Sequence, residues 1–262
     1  VNEYTHVYAS PHLDDAALSC GGQIWEQVRA GARVLVVTVF AGAPEVGGLF
    51  SPFAQELHAQ WGLAADAPLR RREEDGEALT RLGADAAYWP YLDCIYRQTP
   101  DGHFPYDGEK ALFGEVHPAD EELVTELTGR LSALSLGRGG ALYVPLGVGH
   151  HVDHQIVRRA AERCGCVPVY YEDFPYAEEP QALQEALLSG PWQAEVAPIS
   201  AEALEAKLSA IACYRSQLGM LGWADAAEMA VAVRAFAERT EGGVLSERYW
   251  RRGARTETER RP

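Results

Sequence analysis

Two short segments hold most of the residue types that can do chemistry. Ala9-Ser10-Pro11-His12-Leu13-Asp14-Asp15 and Gly149-His150-His151-Val152-Asp153-His154 each place imidazole and carboxylate groups within a few positions of one another. If Asp15 opens a helix, His12 and Asp15 converge on one point, while the adjacent Asp14 points elsewhere and stays free for another role. One imidazole and one carboxylate make two metal ligands, and His154 is the expected third. Three protein ligands with an open position suit a mononuclear hydrolytic centre. Either segment alone is a weak signal, because His and Asp also cap helices and satisfy buried polar groups. Their joint occurrence behind two strand-like runs favours a metal over a coincidence of caps.

The elements that must position these residues follow from periodicity. Apolar, β-rich runs fall at 5–10, 33–41, 86–92, 141–146 and 167–171, and they alternate with helical periodicity at 15–30, 69–82, 119–134, 153–164, 180–188, 201–217 and 226–238. That alternation predicts an α/β fold, a mostly parallel sheet flanked by helices. Both chemical segments then sit where a strand yields to a helix, at the sheet edge where open α/β folds bind ligands. Two connections, 42–68 and 93–118, are longer than packing requires and rich in Gly, Pro and aromatic residues, so they are expected to wall a substrate site.

Composition narrows the partners. With 23 Lys+Arg against 38 Asp+Glu the formal charge is −15, so the mean field repels nucleic acid and anionic membrane, and neither is expected as a partner. The N-terminal residues lack a basic-then-apolar leader, and no run approaches the roughly 18 apolar residues of a bilayer span, which makes the cytoplasm the expected location. Five scattered cysteines do not form a disulfide framework, and Cys164 and Cys166, one residue apart, lack the two-residue gap of a zinc knuckle. Residues 1–250 are expected to form one domain, and 251–262, charged and without apolar periodicity, a poorly ordered tail. A homo-oligomer is left open.

At the two chemical segments the chain resembles a known family. His12-Leu13-Asp14-Asp15 with Gly21-Gly22 downstream is similar to the His-Pro-Asp-Asp motif of the LmbE-like, or PIG-L, N-deacetylases, and His151-Val152-Asp153-His154 to their His-x-Asp-His motif. Arg71-x-x-Glu74 with Leu82-Gly83, and Lys207 with Tyr214-Arg215-Ser216-Gln217, resemble further signatures of the family. Leu13 stands where Pro is usual and Ala16 where Glu often follows, and neither change removes a proposed ligand or base. The resemblance implies a Rossmann-like domain with a C-terminal helical extension. It also implies hydrolysis of the acetamide of an N-acetylglucosamine-type sugar conjugate with Zn²⁺, Fe²⁺ being the alternative that His and carboxylate ligands also suit.

Within that reading Asp14 is the general base and returns its proton to the leaving amine. A protonated His151 would stabilise the oxyanion, with Asp153 accepting from its ring to fix its orientation. Arg71 and Asp93 resemble positions that line the sugar pocket, and Tyr176, in a Pro-flanked turn, joins them as a pocket residue; His150 is read as structural. The rival readings are a metal-dependent amidohydrolase acting on a glycopeptide or other N-acyl amine, and a non-catalytic metal- or nucleotide-binding Rossmann-like protein. The latter is disfavoured, because no G-x-G-x-x-G or Walker A pattern follows the first strand and two aspartates at the helix start would repel phosphate.

Overall fold

The computed structural model describes residues 3–253 apart from 46, 65 and 240–242. Its strands are β1 (Tyr4–Ser10), β2 (Val34–Thr38), β3 (Asp85–Tyr88), β4 (Leu136–Pro145), β5 (Val169–Tyr171), β6 (Trp192–Pro198) and β7 (Ser246–Arg252). They form one sheet in the order β3-β2-β1-β4-β5-β7-β6. The first five pair in parallel and the last two are antiparallel. The helices are α1 (Asp15–Arg29), α2 (Pro52–Gln60), α3 (Ala67–Leu82), α4 (Glu109–Leu112), α5 (Glu121–Ser132), α6 (Val152–Arg163), α7 (Pro180–Leu187), α8 (Ala201–Ile211) and α9 (Ala226–Glu238). Among the described residues no helix is long and apolar enough to cross a membrane.

The central strands are apolar on both faces because both faces are covered. Val7, Ala9, Val37, Leu142 and Val144 pack with Val124, Leu127 and Leu131 of α5 and Ile156, Val157 and Ala160 of α6. On the opposite face Tyr8, Val34, Val36 and Tyr171 pack with α1, α3 and the end of α8. A third cluster, Leu18, Phe174, Leu204, Met229 and Val233 among them, joins α8 and α9 to the body. The strand order reverses direction between β1 and β4, and in such sheets the crevice at that switch is where ligands bind. Both chemical segments leave the carboxyl ends of these two neighbouring strands.

The five expected strands and seven expected helices are all present, with shifted ends. The fold departs from expectation in two places. The 42–68 connection contains α2, whose start is marked by Ser51: its side chain accepts from Ala54 N at 3.0 Å, and Pro52 takes the first turn. The C-terminal extension is not helical throughout, since β6 and β7 complete the sheet. β7 includes Arg251 and Arg252, which had been assigned to the tail; they pair with Gln193 and Trp192 of β6 because backbone ladder bonds, not apolar side chains, order them. The rest of that tail, 254–262, lies outside the described residues.

Candidate active site

The turn after β1 is built by Ser10. Its hydroxyl donates to the His12 carbonyl at 2.7 Å and accepts from Ala16 N at 3.0 Å, which closes the chain into the start of α1. In that turn the His12 backbone N–H donates to Asp15 Oδ2 at 2.8 Å, and His12 Nδ1 lies 3.2 Å from the same oxygen. Leu13 is buried and Ala16 packs into the core beside Tyr8, so the two departures from the family motif fall on packing positions.

The turn after β4 needs glycine. Gly149 has φ +83°, and a Cβ there would lie 2.6 Å from the Tyr176 ring; no L side chain fits. His150 (φ 65°) turns its Nδ1 to Gly114 O at 3.0 Å, a structural contact. His151 caps α6, its Nδ1 accepting from Asp153 N at 3.2 Å. One turn into α6, His154 faces the turn from β1, with Nε2 3.3 Å from Asp15 Oδ2.

Asp15 Oδ2 thus lies within 3.3 Å of a ring nitrogen of both His12 and His154. His12, His151 and His154 also offer nitrogens within 4.8 Å of one another. The far side of each expected ligand ring is held by a carboxylate: His154 Nδ1 by Asp173 Oδ1 at 2.7 Å, and His12 Nε2 by Asp153 Oδ2 at 3.0 Å. Asp173 is itself fixed by Gly147 N at 2.8 Å and Val148 N at 2.9 Å. A carboxylate behind each imidazole is the usual support of metal-ligating histidines. His154 Nε2 is buried and makes no hydrogen bond, so an ion that displaces its proton meets a nitrogen not otherwise engaged. The set of two imidazoles and a carboxylate fits Zn²⁺ or Fe²⁺.

The electrostatics agree. Burial alone would lower both imidazoles, but Asp15 and Asp153 push His12 well above its ordinary value, and Asp15 and Asp173 push His154 up to about 9. Burial would raise Asp15, yet His154 and His12 hold it well below the carboxylate range. Carboxylates packed this way favour positive charge among them. Asp14 differs: burial lifts its carboxyl, against the pull of Arg71, whose NH2 lies 3.3 Å from Oδ2.

One expected contact is absent. Among the described residues His151 makes no hydrogen bond or ion pair with the Asp153 carboxylate, which faces His12, Cys94 N at 3.0 Å and Arg97 NH1 at 2.7 Å. A nitrogen that accepts from a helix N–H carries no proton, so the hydrogen of the His151 ring sits on Nε2. Burial and the neighbouring His12 and His154 hold this ring well below its ordinary pKa. In this geometry the His151 ring is held toward its neutral form, whereas the sequence leads one to expect an imidazolium, and its place at a helix N-terminus favours the neutral form.

A cavity of about 480 Å³ opens above this floor. Both long connections wall it, through Phe53, Leu57 and Trp61 from one and Ile95, Leu112 and Phe113 from the other. Arg71, Asp93 and Tyr176 all line it, Asp93 with Oδ2 3.9 Å from His12 Nε2. Arg71 lies over the Trp61 ring at 4.8 Å, and the buried Arg71 Nε and Trp61 Nε1 have no hydrogen-bond partner. Trp61, Arg97 and Asp173 were missed by sequence reading. Asp173 had a signal, a carboxylate two residues beyond β5 at the same sheet edge; Arg97 had none. Of the other motif residues, Gln217 lines the cavity, while the rest make structural contacts: Ser216 N and Oγ bind Glu74, Tyr214 OH binds Asp75 at 2.8 Å, and Lys207 pairs with Glu247.

Comparison with known proteins agrees with this arrangement. Residues 7–164 match the PIG-L family, described as GlcNAc-PI de-N-acetylase. The chain is 30% identical over 257 residues to a 2'-N-acetylparomamine deacetylase of Niallia circulans, covering 92% of this chain and 87% of that one. Its structure is similar to the zinc inhibited form of teicoplanin deacetylase Orf2, with TM-score 0.77, 29% identity and 94% and 96% of the two chains covered. A deacetylase–teicoplanin complex from the teicoplanin biosynthesis pathway gives TM-score 0.77 and 30% identity over the same shares. The chain belongs to the PIG-L, or LmbE-like, family of N-deacetylases, which are hydrolytic enzymes.

Proposed function

We propose that the chain is a zinc-dependent N-deacetylase acting on an N-acetylglucosamine-type sugar of a small natural-product conjugate, an aminoglycoside or a glycopeptide. The observation that carries this reading is the convergence of His12 Nδ1, Asp15 Oδ2 and His154 Nε2, which makes no hydrogen bond, at the floor of a cavity, with Asp14 beside them. His12, Asp15 and His154 hold the ion, Zn²⁺ or alternatively Fe²⁺. Once bound there, a divalent ion supplies Lewis-acid polarisation of a carbonyl and a water of lowered pKa.

The remaining work falls to the chain. Asp14 takes the proton of the attacking water and returns it to the leaving amine; its raised carboxyl pKa suits both transfers, and Arg71 keeps it from turning away. His151 donates from Nε2 to the oxygen on which negative charge develops, a contact worth about 10²- to 10³-fold in rate at comparable sites. Asp153 acts through His12, whose ring it orients. Arg71, Asp93 and Tyr176 bind the sugar, and Trp61 offers a ring and an unused N–H beside them.

The test couples elemental analysis of chelator-washed, metal-reconstituted protein to amine release from 2'-N-acetylparomamine, a teicoplanin-type glycopeptide and simple N-acetylglucosamine conjugates. About one tight ion per chain with metal-dependent amine release supports the proposal. Release only from a non-sugar N-acyl amine would favour the broader amidohydrolase reading, and no bound metal would overturn both.

A further inference from the structure

At the far end of α6 from the catalytic cavity, about 18 Å along the helix axis, Cys164 and Cys166 bring their Sγ atoms to 2.7 Å. Three features impose that approach. Cys164 ends α6, and its carbonyl is pinned by Ser132 Oγ at 2.8 Å. Gly165 turns the chain back at φ +82° with nothing within 4 Å of its Cβ position. Cys166 is partly exposed and packs beside the α5–α6 core. Two unbonded sulfurs this close lie well inside ordinary contact distance and only roughly 0.7 Å beyond the length of a disulfide bond. The remaining cysteines, Cys20, Cys94 and Cys213, are at most 2% exposed.

We infer that Cys164-Gly165-Cys166 is a thiol–disulfide exchange site that closes to an intrachain disulfide on meeting a low-molecular-weight disulfide. Either sulfur can carry the proton between them, and Cys166, the more exposed of the two, is the one that an external disulfide reaches. The Cys166 thiolate attacks one sulfur of the external disulfide, forming a mixed disulfide and expelling the first thiolate. Cys164 then gives up its proton and attacks Cys166 Sγ, expelling the second. Two protein thiols become one disulfide, and the external disulfide is reduced to two thiols.

The test treats the full chain with excess oxidised glutathione and follows intact mass and tryptic peptides. The expected product has lost two hydrogens, with the new bond mapped to Cys164 and Cys166. In Cys164→Ser a glutathione adduct should persist on Cys166, and in Cys166→Ser neither bond nor adduct should form at this turn. An unchanged wild-type mass, or a wild-type product that stops at a stable glutathione adduct, would overturn the inference. So would an adduct on Cys164 in Cys166→Ser. Circular dichroism of both variants establishes that they are folded before treatment.

Discussion

Lys207 and Glu247 are buried as deeply as His154 and Asp15, yet the two clusters are finished differently. Glu247 Oε1 accepts from Lys207 Nζ at 2.7 Å and Gly22 N at 2.9 Å, and Oε2 from Gln23 N at 2.9 Å and Tyr249 OH at 3.1 Å. Gly22 permits this approach, since a Cβ there would lie 3.0 Å from the same carboxylate. Beneath the cavity, by contrast, His154 Nε2, Arg71 Nε and Trp61 Nε1 are buried without hydrogen-bond partners. Native proteins leave few buried polar atoms unpaired. A saturated ionic cluster therefore reads as architecture, and an unsaturated one as a place where a ligand completes the set.

The sharpest way to break this contrast is at the cavity floor. Asp14→Ala should retain bound metal and lose turnover by about 10²- to 10⁴-fold, whereas His154→Ala should lose both. Elemental analysis beside amine release separates them, and equal metal loss in both would end the division between base and ligand. In the saturated cluster, Lys207→Met should lower stability by about 3 kcal/mol, the low end for a broken buried pair, because three donors to Glu247 remain. Urea unfolding measures that loss, and the folded protein should keep its full complement of metal.

Arg97 tests the region between. Its guanidinium lies between the Phe40 and Tyr106 rings and reaches Asp153, which in turn holds His12. Arg97→Met should weaken Zn²⁺ affinity by about 10- to 100-fold in a direct titration, with Arg97→Lys recovering part of it. Unchanged affinity would assign Arg97 to packing alone.

The last contrast concerns Asp75, saturated by Tyr214 and Thr38 but without a cation. Burial, opposed by those hydroxyls, raises its carboxyl from 3.8 to about 7. Between those values the unfolded chain has released its proton while the folded chain retains it, so stability from this group falls as pH rises and levels off above about 7. Asp75→Asn should flatten the melting-temperature profile across that window; an unaltered slope would show that Asp75 ionises normally.

How much was legible in the sequence differs by element. The chemical segments were visible because each packs its imidazole and carboxylate into a few residues beside a recognisable strand. The central sheet was visible because strands covered on both faces are continuously apolar. Strand β6, largely exposed and alternating weakly, was not. Helix α2 hid in a Gly-rich connection, although Ser51-Pro52 marked its start.

Local spacing alone determined that His12, Asp15 and His154 lie at strand–helix junctions and that Asp14 stands beside them, because helix and strand geometry acts over a few residues. The tertiary structure decided which junctions adjoin, and it gave the Asp153 carboxylate to His12, 141 residues away, instead of to His151 two positions before it. It also brought Asp173 behind His154 and raised the wall of the cavity from two long connections. Such contacts depend on strand order and on competition among buried donors for each carboxylate, and neither leaves a periodic trace along the chain.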